Sequence, residues 1–316
     1  MKIVVTGGAG FVGSAVCRAL AAEETVSQIV VLDDLSTGSV RNIKGIDRVR
    51  LVVGNILDHS TVLACLEGAS SVVHLAARAS VEASILDPYS MHEITATGTI
   101  RVLECCRQAG VPHFVMASTA AVYGPAPTLP TPEWSAPKPV SPYAASKLAA
   151  ESYALAYANS FDLGVLPLRL FNVYGPRQAL EHASGAVVPS FLDAALAGRP
   201  ITILGDGTQT RDLIFVETVS GIITTAVANG SVSDHPINIG SGTGTSLLQL
   251  AHAIGDLLGQ ELVIEYASPR VSDVQHSMAD IGTLQKMFAN VRHLDLVTGL
   301  SKTVEWYRTE SLKYVH

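Results

Sequence analysis

Lys2-Ile-Val-Val-Thr-Gly7-Gly-Ala-Gly10-Phe-Val-Gly13 is the stretch on which the fold turns. Ile3, Val4 and Val5 are an uninterrupted apolar run, as expected of a short strand buried on both faces. Glycines follow at once, and the run Ser14 to Ala22 reads as a helix. Glycines in that place serve a tight turn, close backbone approach to a pyrophosphate, and helix–strand contact. The helix start then presents unpaired N–H groups and a positive dipole end to phosphate. Gly7, Gly10, Phe11, Val12 and Gly13 are therefore candidate dinucleotide contacts. A second apolar strand, Ile29 to Leu32, ends in Asp33-Asp34, twenty residues beyond Gly13. A carboxylate there accepts hydrogen bonds from the adenosine ribose and repels a 2′-phosphate, which favours NAD over NADP. Asp33 is the better placed of the two.

Outward from this unit the alternation continues. Val49 to Val53 reads as a strand running into Gly54-Asn55-Ile56, where the chain should pass the adenine, and Thr61 to Leu66 as a helix. Ser71 to Leu75 is a strand opening into Ala76 and Ala77, small enough for the backbone to approach a cofactor. Thr95 to Gln108 reads as one long helix, and Phe114 to Ser118 as a strand with Thr119 at its carboxyl end. That edge of an open parallel sheet carries the ligand crevice. Six prolines between Ala126 and Pro142 mark a loop, after which the sheet pattern resumes at Val165 to Phe171. The fold class is α/β, a doubly wound parallel sheet of the Rossmann type with a smaller, interleaved substrate-binding domain. The NAD-binding part is expected over 1–171 and about 211–239, where a strand Leu213 to Val216 returns to the sheet. The smaller part is expected over about 172–210 and 240–316, with a helix from Val187 to Ala197 and a strand from Ile201 to Leu204.

Beyond the proline loop, Ser141 can cap a helix and Pro142 suits its first position. The alanines and Leu148 after them are good helix formers. Tyr143 and Lys147 are four apart, so they share one helix face. A phenol in water titrates near ~10, and an ammonium within ~4–6 Å lowers that value. The pair is a candidate general base.

Composition limits the partners. The chain has 316 residues, 48% of them hydrophobic and 16% charged, with a formal net charge of −7. That is a dense globular chain, and no Lys/Arg run points to nucleic acid or to an anionic membrane. Positive charges for an anionic substrate must then be single, placed arginines. Four cysteines show no metal-ligand spacing, and Cys105-Cys106 in a helical run read as buried thiols. A strand beginning at Lys2 leaves no room for a signal peptide, and no apolar run reaches ~18 residues. The expectation is a reduced, cytoplasmic, soluble protein without metal.

Taken together, Thr6-Gly-Gly-Ala-Gly-Phe-Val-Gly13, His74-Leu-Ala-Ala77, Ser118-Thr-Ala-Ala-Val-Tyr-Gly124, Tyr143-x-x-x-Lys147, Arg169-Leu-Phe-Asn-Val-Tyr-Gly-Pro176 and Gly205-Asp-Gly-Thr-Gln-Thr-Arg-Asp212 resemble the extended short-chain dehydrogenase/reductase family. Within it, the chain resembles the NAD-dependent nucleotide-sugar 4-epimerases. The resemblance implies Tyr143 as base and acid, Lys147 on the nicotinamide ribose, lowering the tyrosine pKa, and Thr119 on the sugar 4′-hydroxyl. It implies Asn172 at the substrate phosphate, Arg211 and Arg270 on the pyrophosphate, and Asp273 on the uridine side. Ser80 and Val188 join the substrate side, and Leu75 the cofactor side. Ser277 matches a size gate near C2, leaving room for an N-acetyl group. The implied reaction is 4-epimerisation of a UDP-hexose through a transient 4-keto sugar, by a homodimer formed through Thr95–Gln108 and Tyr143–Asn159.

Relatives that dehydrate or decarboxylate carry acids where this chain has Ala120 and Ala121, and a methyl cannot move a proton. Epimerisation of UDP-glucuronate is the first alternative within the class, with Arg177 in the relevant turn but Ala179 where an arginine is expected, and a nucleotide-sugar dehydratase or decarboxylase is the lesser one. A non-catalytic NAD-sensing protein is the alternative outside it. Asn55 and Thr95 depart from the residues many relatives have there.

Overall fold

The computed structural model describes residues 1–126, 128–178, 186–268 and 274–309. Its strands are β1 (Lys2–Thr6), β2 (Gln28–Asp33), β3 (Val49–Val53), β4 (Ser71–His74), β5 (His113–Thr119) and β6 (Gly164–Leu170). Further along come β7 (Asn172–Tyr174), β8 (Ile201–Leu204), β9 (Thr210–Phe215), β10 (Ile237–Ile239), β11 (Gly244–Ser246) and β12 (Ile264–Ala267). Seven of them form one parallel sheet in the order β10-β6-β5-β4-β1-β2-β3. The order reverses between β1 and β4, and at such a switch point the crevice for a ligand opens.

Each central strand feeds two cores because its side chains alternate. Ile3, Val5, Ile29 and Val31 lie in one cluster with Val16, Leu20 and Ile222, from the helices Phe11–Ala22 and Val216–Asn229. Val4, Val30 and Leu32 lie in the other, with Val62, Val102, Ala150 and Ala154 from the helices His59–Leu66, Gly98–Ala109 and Pro142–Phe161. The doubly wound parallel sheet is thus as expected. A third core joins Phe191, Leu192, Leu250, Ile254 and Leu300 around the helices Val187–Leu196, Leu247–Leu258 and Leu296–Thr309. The short sheets β12-β8 and β11-β9-β7 lie outside the main sheet.

Three element readings are corrected. The first helix starts at Phe11 and not at Ser14, because Gly10 is already its extended N-cap. The helix expected from Thr95 begins as a π turn, Glu93–Thr97, and becomes α-helical only at Gly98. The strand expected at Leu213 to Val216 is β9, and it pairs with β7 and β11 and not with the main sheet. The place beside β6 is taken by β10.

All four cysteines are free and buried. Among the described residues, no helix is long and apolar enough to cross a membrane, and no cluster of His, Cys, Asp or Glu could hold a metal ion.

Candidate active site at the carboxyl edge of the sheet

At the end of β1 the backbone turns at Gly7 with φ +69°, and a Cβ there would lie 2.8 Å from the Ala76 amide nitrogen. A Cβ on Gly13 would sit 2.1 Å from the Gly7 carbonyl oxygen. Both positions therefore exclude a side chain by contact. Gly10 caps the Phe11–Ala22 helix without a side-chain hydrogen bond, and a Cβ there would meet only the Gly7 oxygen, at 3.2 Å. The bare helix start, with open space before it, fits the pyrophosphate of a dinucleotide.

Asp33 closes the other side of this loop. Its Oδ2 accepts from the Ala9 amide and its Oδ1 from the Leu35 amide, each at 2.9 Å. Burial raises its pKa, and the two amides pull it back. Asp34 is exposed; it accepts from the Ser36 amide and hydroxyl and from Asn55 Nδ2 at 3.2 Å. Ile56, expected near the adenine, has its side chain in the core beside Gly98.

Beneath Leu75, Ala76 and Ala77 runs a hydrogen-bond chain that sequence reading missed. The Thr99 hydroxyl donates to the Thr95 carbonyl at 2.6 Å, so its oxygen accepts from His74 Nε2 at 2.9 Å. His74 Nδ1 then accepts from Thr6 Oγ1 at 2.7 Å, and Thr6 accepts the Ala76 amide at 3.3 Å. Burial, reinforced by the Lys147 charge, pushes the imidazole down to about 3, so it stays neutral. The chain sets its tautomer and steadies the Ala76 backbone.

The Pro142–Phe161 helix is capped as expected, Ser141 Oγ accepting from the Ala144 amide at 3.2 Å. It brings Tyr143 and Lys147 to the last residues of β5. The Tyr143 phenol meets the side chain of Thr119, whose oxygen accepts the Ala121 amide at 3.2 Å. Lys147 Nζ donates to the Ala117 carbonyl at 2.8 Å. The expected acidification of Tyr143 by Lys147 is corrected here. Burial raises the phenol above its ordinary value, and the Thr119 hydrogen bond is what lowers it. Lys147 is itself pushed down to about 8 by burial.

Two further charged residues lie behind this pair. Glu151, one turn beyond Lys147, accepts from Ser118 Oγ at 2.6 Å and from Arg169 Nε and Nη2 at 3.0 and 2.6 Å. Arg169 interrupts the apolar run of β6 and Glu151 continues the Tyr143 stripe, signals that could have found both.

On the substrate side, Asn172 is exposed on β7, at the same end of the molecule as the crevice by its position just after β6. Arg211 on β9 donates to the Thr210 carbonyl at 2.9 Å and to the Gln275 carbonyl at 3.4 Å. The half-buried Ser277 donates its amide to the Thr210 carbonyl at 3.2 Å, which sets it beside Arg211. Asp212, unassigned from sequence, holds this region together. Its carboxylate accepts from the Ser241, Gly242 and Ala279 amides and the Ser241 hydroxyl at 2.6–3.0 Å. Ser80 caps the helix Val81–Leu86, accepting the Ala83 amide at 3.1 Å. Val188 is 2% exposed, its side chain in the third core because it sits on the apolar face of its helix. Arg270 and Asp273, and Ala179 beside Arg177's turn, lie outside the described residues.

A glycine cradle at the switch point, an acid after β2 and a Tyr/Lys helix against Thr119 define a dinucleotide-dependent enzyme of the doubly wound class. Comparison with known proteins makes the class specific. The NAD dependent epimerase/dehydratase family matches residues 3–240, and the chain belongs to it, with NAD as cofactor. The UDP-glucose 4-epimerase of Mycolicibacterium smegmatis is 36% identical over 98% of this chain and 100% of its own length. Among solved structures, the UDP-N-acetylglucosamine 4-epimerase of Methanobrevibacter ruminantium, in complex with UDP-N-acetylmuramic acid, superposes with TM-score 0.92 at 30% identity, covering 98% of each chain. DesIV of Streptomyces venezuelae, a dTDP-glucose 4,6-dehydratase with NAD bound, superposes with TM-score 0.90 at 30% identity, over 99% of this chain and 98% of its own.

Proposed function

We propose that this enzyme interconverts UDP-hexoses at C4′, UDP-glucose with UDP-galactose and, where Ser277 leaves room, their N-acetyl forms. The observation that carries this reading is that the helix sets Tyr143 and Lys147 against Ala117–Thr119 at the sheet's carboxyl edge, followed by Ala120 and Ala121. NAD held in this cradle would supply the hydride acceptor for C4′ and the hydride that restores it, so no net oxidation would occur. Tyr143 takes the 4′-hydroxyl proton, with Thr119 beside it, and returns it to the 4′-oxygen when hydride is added to the opposite face of C4′. The proposed role of Lys147 is to hold the nicotinamide ribose. The Asp33 carboxylate accepts from the adenosine ribose, and the bare helix start after Gly10 takes the pyrophosphate. Asn172, Arg211, Arg270 and Asp273 tether the nucleotide diphosphate, Arg by the planar fork that suits phosphate oxygens. The 4-keto sugar, loosely held, turns over within the crevice.

The likeness to a dehydratase is met by residues 120 and 121. Elimination needs a proton donor and a base beside C5 and C6, and two methyl groups supply neither. UDP-glucuronate remains the second substrate reading, because Arg177 stands in the turn after Pro176. The protein is further proposed to act in the cytoplasm as a homodimer.

The test is a product screen by mass and NMR against UDP-glucose, UDP-N-acetylglucosamine and UDP-glucuronate without added reductant. UDP-galactose is expected from UDP-glucose, and Tyr143→Phe is expected to lose at least ~10²-fold in turnover. Loss of water or carbon dioxide from the sugar rules out a simple epimerase. Near wild-type turnover in Tyr143→Phe removes that residue from the mechanism.

A further inference from the structure

Three consecutive residues end β5, and successive turns of the Pro142–Phe161 helix reach all three. Lys147 Nζ donates to the Ala117 carbonyl, Ser118 Oγ donates to Glu151, and the Thr119 side chain meets Tyr143. Tyr143, Lys147 and Glu151 follow one another at intervals of four, so they form a single stripe. The middle link is anchored from behind by an ion pair. Arg169 grips the Glu151 carboxylate with two nitrogens, the two side chains being 4% and 3% exposed. The same guanidinium donates to the Glu133 carbonyl at 3.2 Å and lies 4.6 Å over the Tyr123 ring. Tyr123 in turn donates to Asn238 Oδ1 at 2.7 Å. One ion pair thus ties β5, β6, the Tyr143 helix and the proline-rich loop into one register.

Burying two charges is a poor route to stability, because desolvation offsets most of their attraction. What a bidentate pair supplies is direction, since the planar fork accepts a carboxylate only in a narrow geometry. Thr119 and Tyr143 meet through their side-chain hydroxyls, and a slide of the helix along β5 would part them. A misplacement of about 1 Å can cost ~10²-fold in rate.

We propose that Glu151 and Arg169, acting through Ser118, are positioning residues for the Thr119–Tyr143 pair, holding the helix at the register the proton transfer needs. The inference rests on the reading of Thr119 and Tyr143 as the proton-handling pair.

Three variants of the NAD-loaded enzyme test it. Glu151→Gln keeps the shape and removes the charge. Glu151→Leu combined with Arg169→Met replaces the ion pair by apolar groups, which can restore stability but not direction. Ser118→Ala removes one hydroxyl. The expected result for both Glu151 variants is a fall in kcat of about 10-fold or more, with KM and bound NAD within about 2-fold of wild type. The double variant is expected to regain melting temperature lost by Glu151→Gln without regaining kcat. Ser118→Ala is expected to lose about 3- to 10-fold in kcat at nearly unchanged melting temperature, and it decides the matter alone if the Glu151 variants do not fold. Wild-type kcat in any folded variant overturns the proposal, as does a rise in KM with kcat intact. Absence of turnover in the wild type on every nucleotide sugar overturns the underlying reading as well, whereas an active wild type with unaffected variants overturns this inference alone.

Discussion

Lys147 shows how burial and function oppose each other at one residue. Its amine is lowered from 10.5 to about 8, wholly by desolvation. The folded state therefore disfavours the protonated form, by roughly 3 kcal/mol at neutral pH for a shift of that size. The sign follows from linkage: the cost is present in full below pH 8 and is relieved as pH rises from about 8 towards 10.5. Lys147→Met removes the cost together with the hydrogen bond to Ala117, worth about 1–3 kcal/mol. In NAD-stripped protein the variant should then melt at or above the wild-type temperature at pH 7, an advantage that shrinks by pH 10, while turnover is lost. Thermal melts across that pH range check this, and a variant several degrees less stable at pH 7 would sink it. Tyr143 sits in the opposite position. Its phenol is raised by burial, so the base form needed for proton removal grows as pH rises.

At the scale of elements, the dinucleotide turn and the π turn behave differently under sequence reading. The turn is contact-limited: the 2.1 Å between a Gly13 Cβ and the Gly7 oxygen leaves no backbone solution that keeps both the strand and the helix start. Gly13→Ala is expected to destabilise the protein by about 1–3 kcal/mol, in the range of overpacked sites. It should also be isolated with little NAD. Nucleotide content of the denatured protein and its melting temperature measure both effects, and full NAD occupancy would contradict the account. The glycine spacing made this element legible before any coordinates. The π turn Glu93–Thr97 was not legible, because Ile94, Thr95 and Ala96 carry no local signal against a regular helix. It is set where buried Thr95 gives its carbonyl to Thr99, which reaches His74 on β4. That is a tertiary requirement and not a propensity.

Over the whole molecule, an apolar face is left open beside the Tyr143 helix. Ile85, Leu86 and Tyr89, on the helices Val81–Leu86 and Pro88–His92, are 62%, 87% and 78% exposed, and Tyr153 on the Tyr143 helix is 46% exposed. Both short helices pack against that helix. A patch of this kind fits the proposed homodimer, though it lies on residues 81–89 more than on Thr95–Gln108. Leu86→Glu is expected to shift the protein to monomer in sedimentation at micromolar concentration. An unchanged mass, or a monomeric wild type, would place the interface elsewhere or remove it.

Local rules read from the sequence determined the alternation of strands and helices, the glycine cradle, Asp33 after β2 and the Tyr143–Lys147 helix. Each depends on neighbours within a few residues: period, capping, or a turn that excludes Cβ. Only the tertiary structure decided that β9 leaves the main sheet, that Val188 and Ile56 are core, and that Glu151 meets Arg169 behind Thr119. It also decided the sign of the Tyr143 shift. Burial and long-range pairing depend on which distant segments meet, and a residue's type does not carry that information.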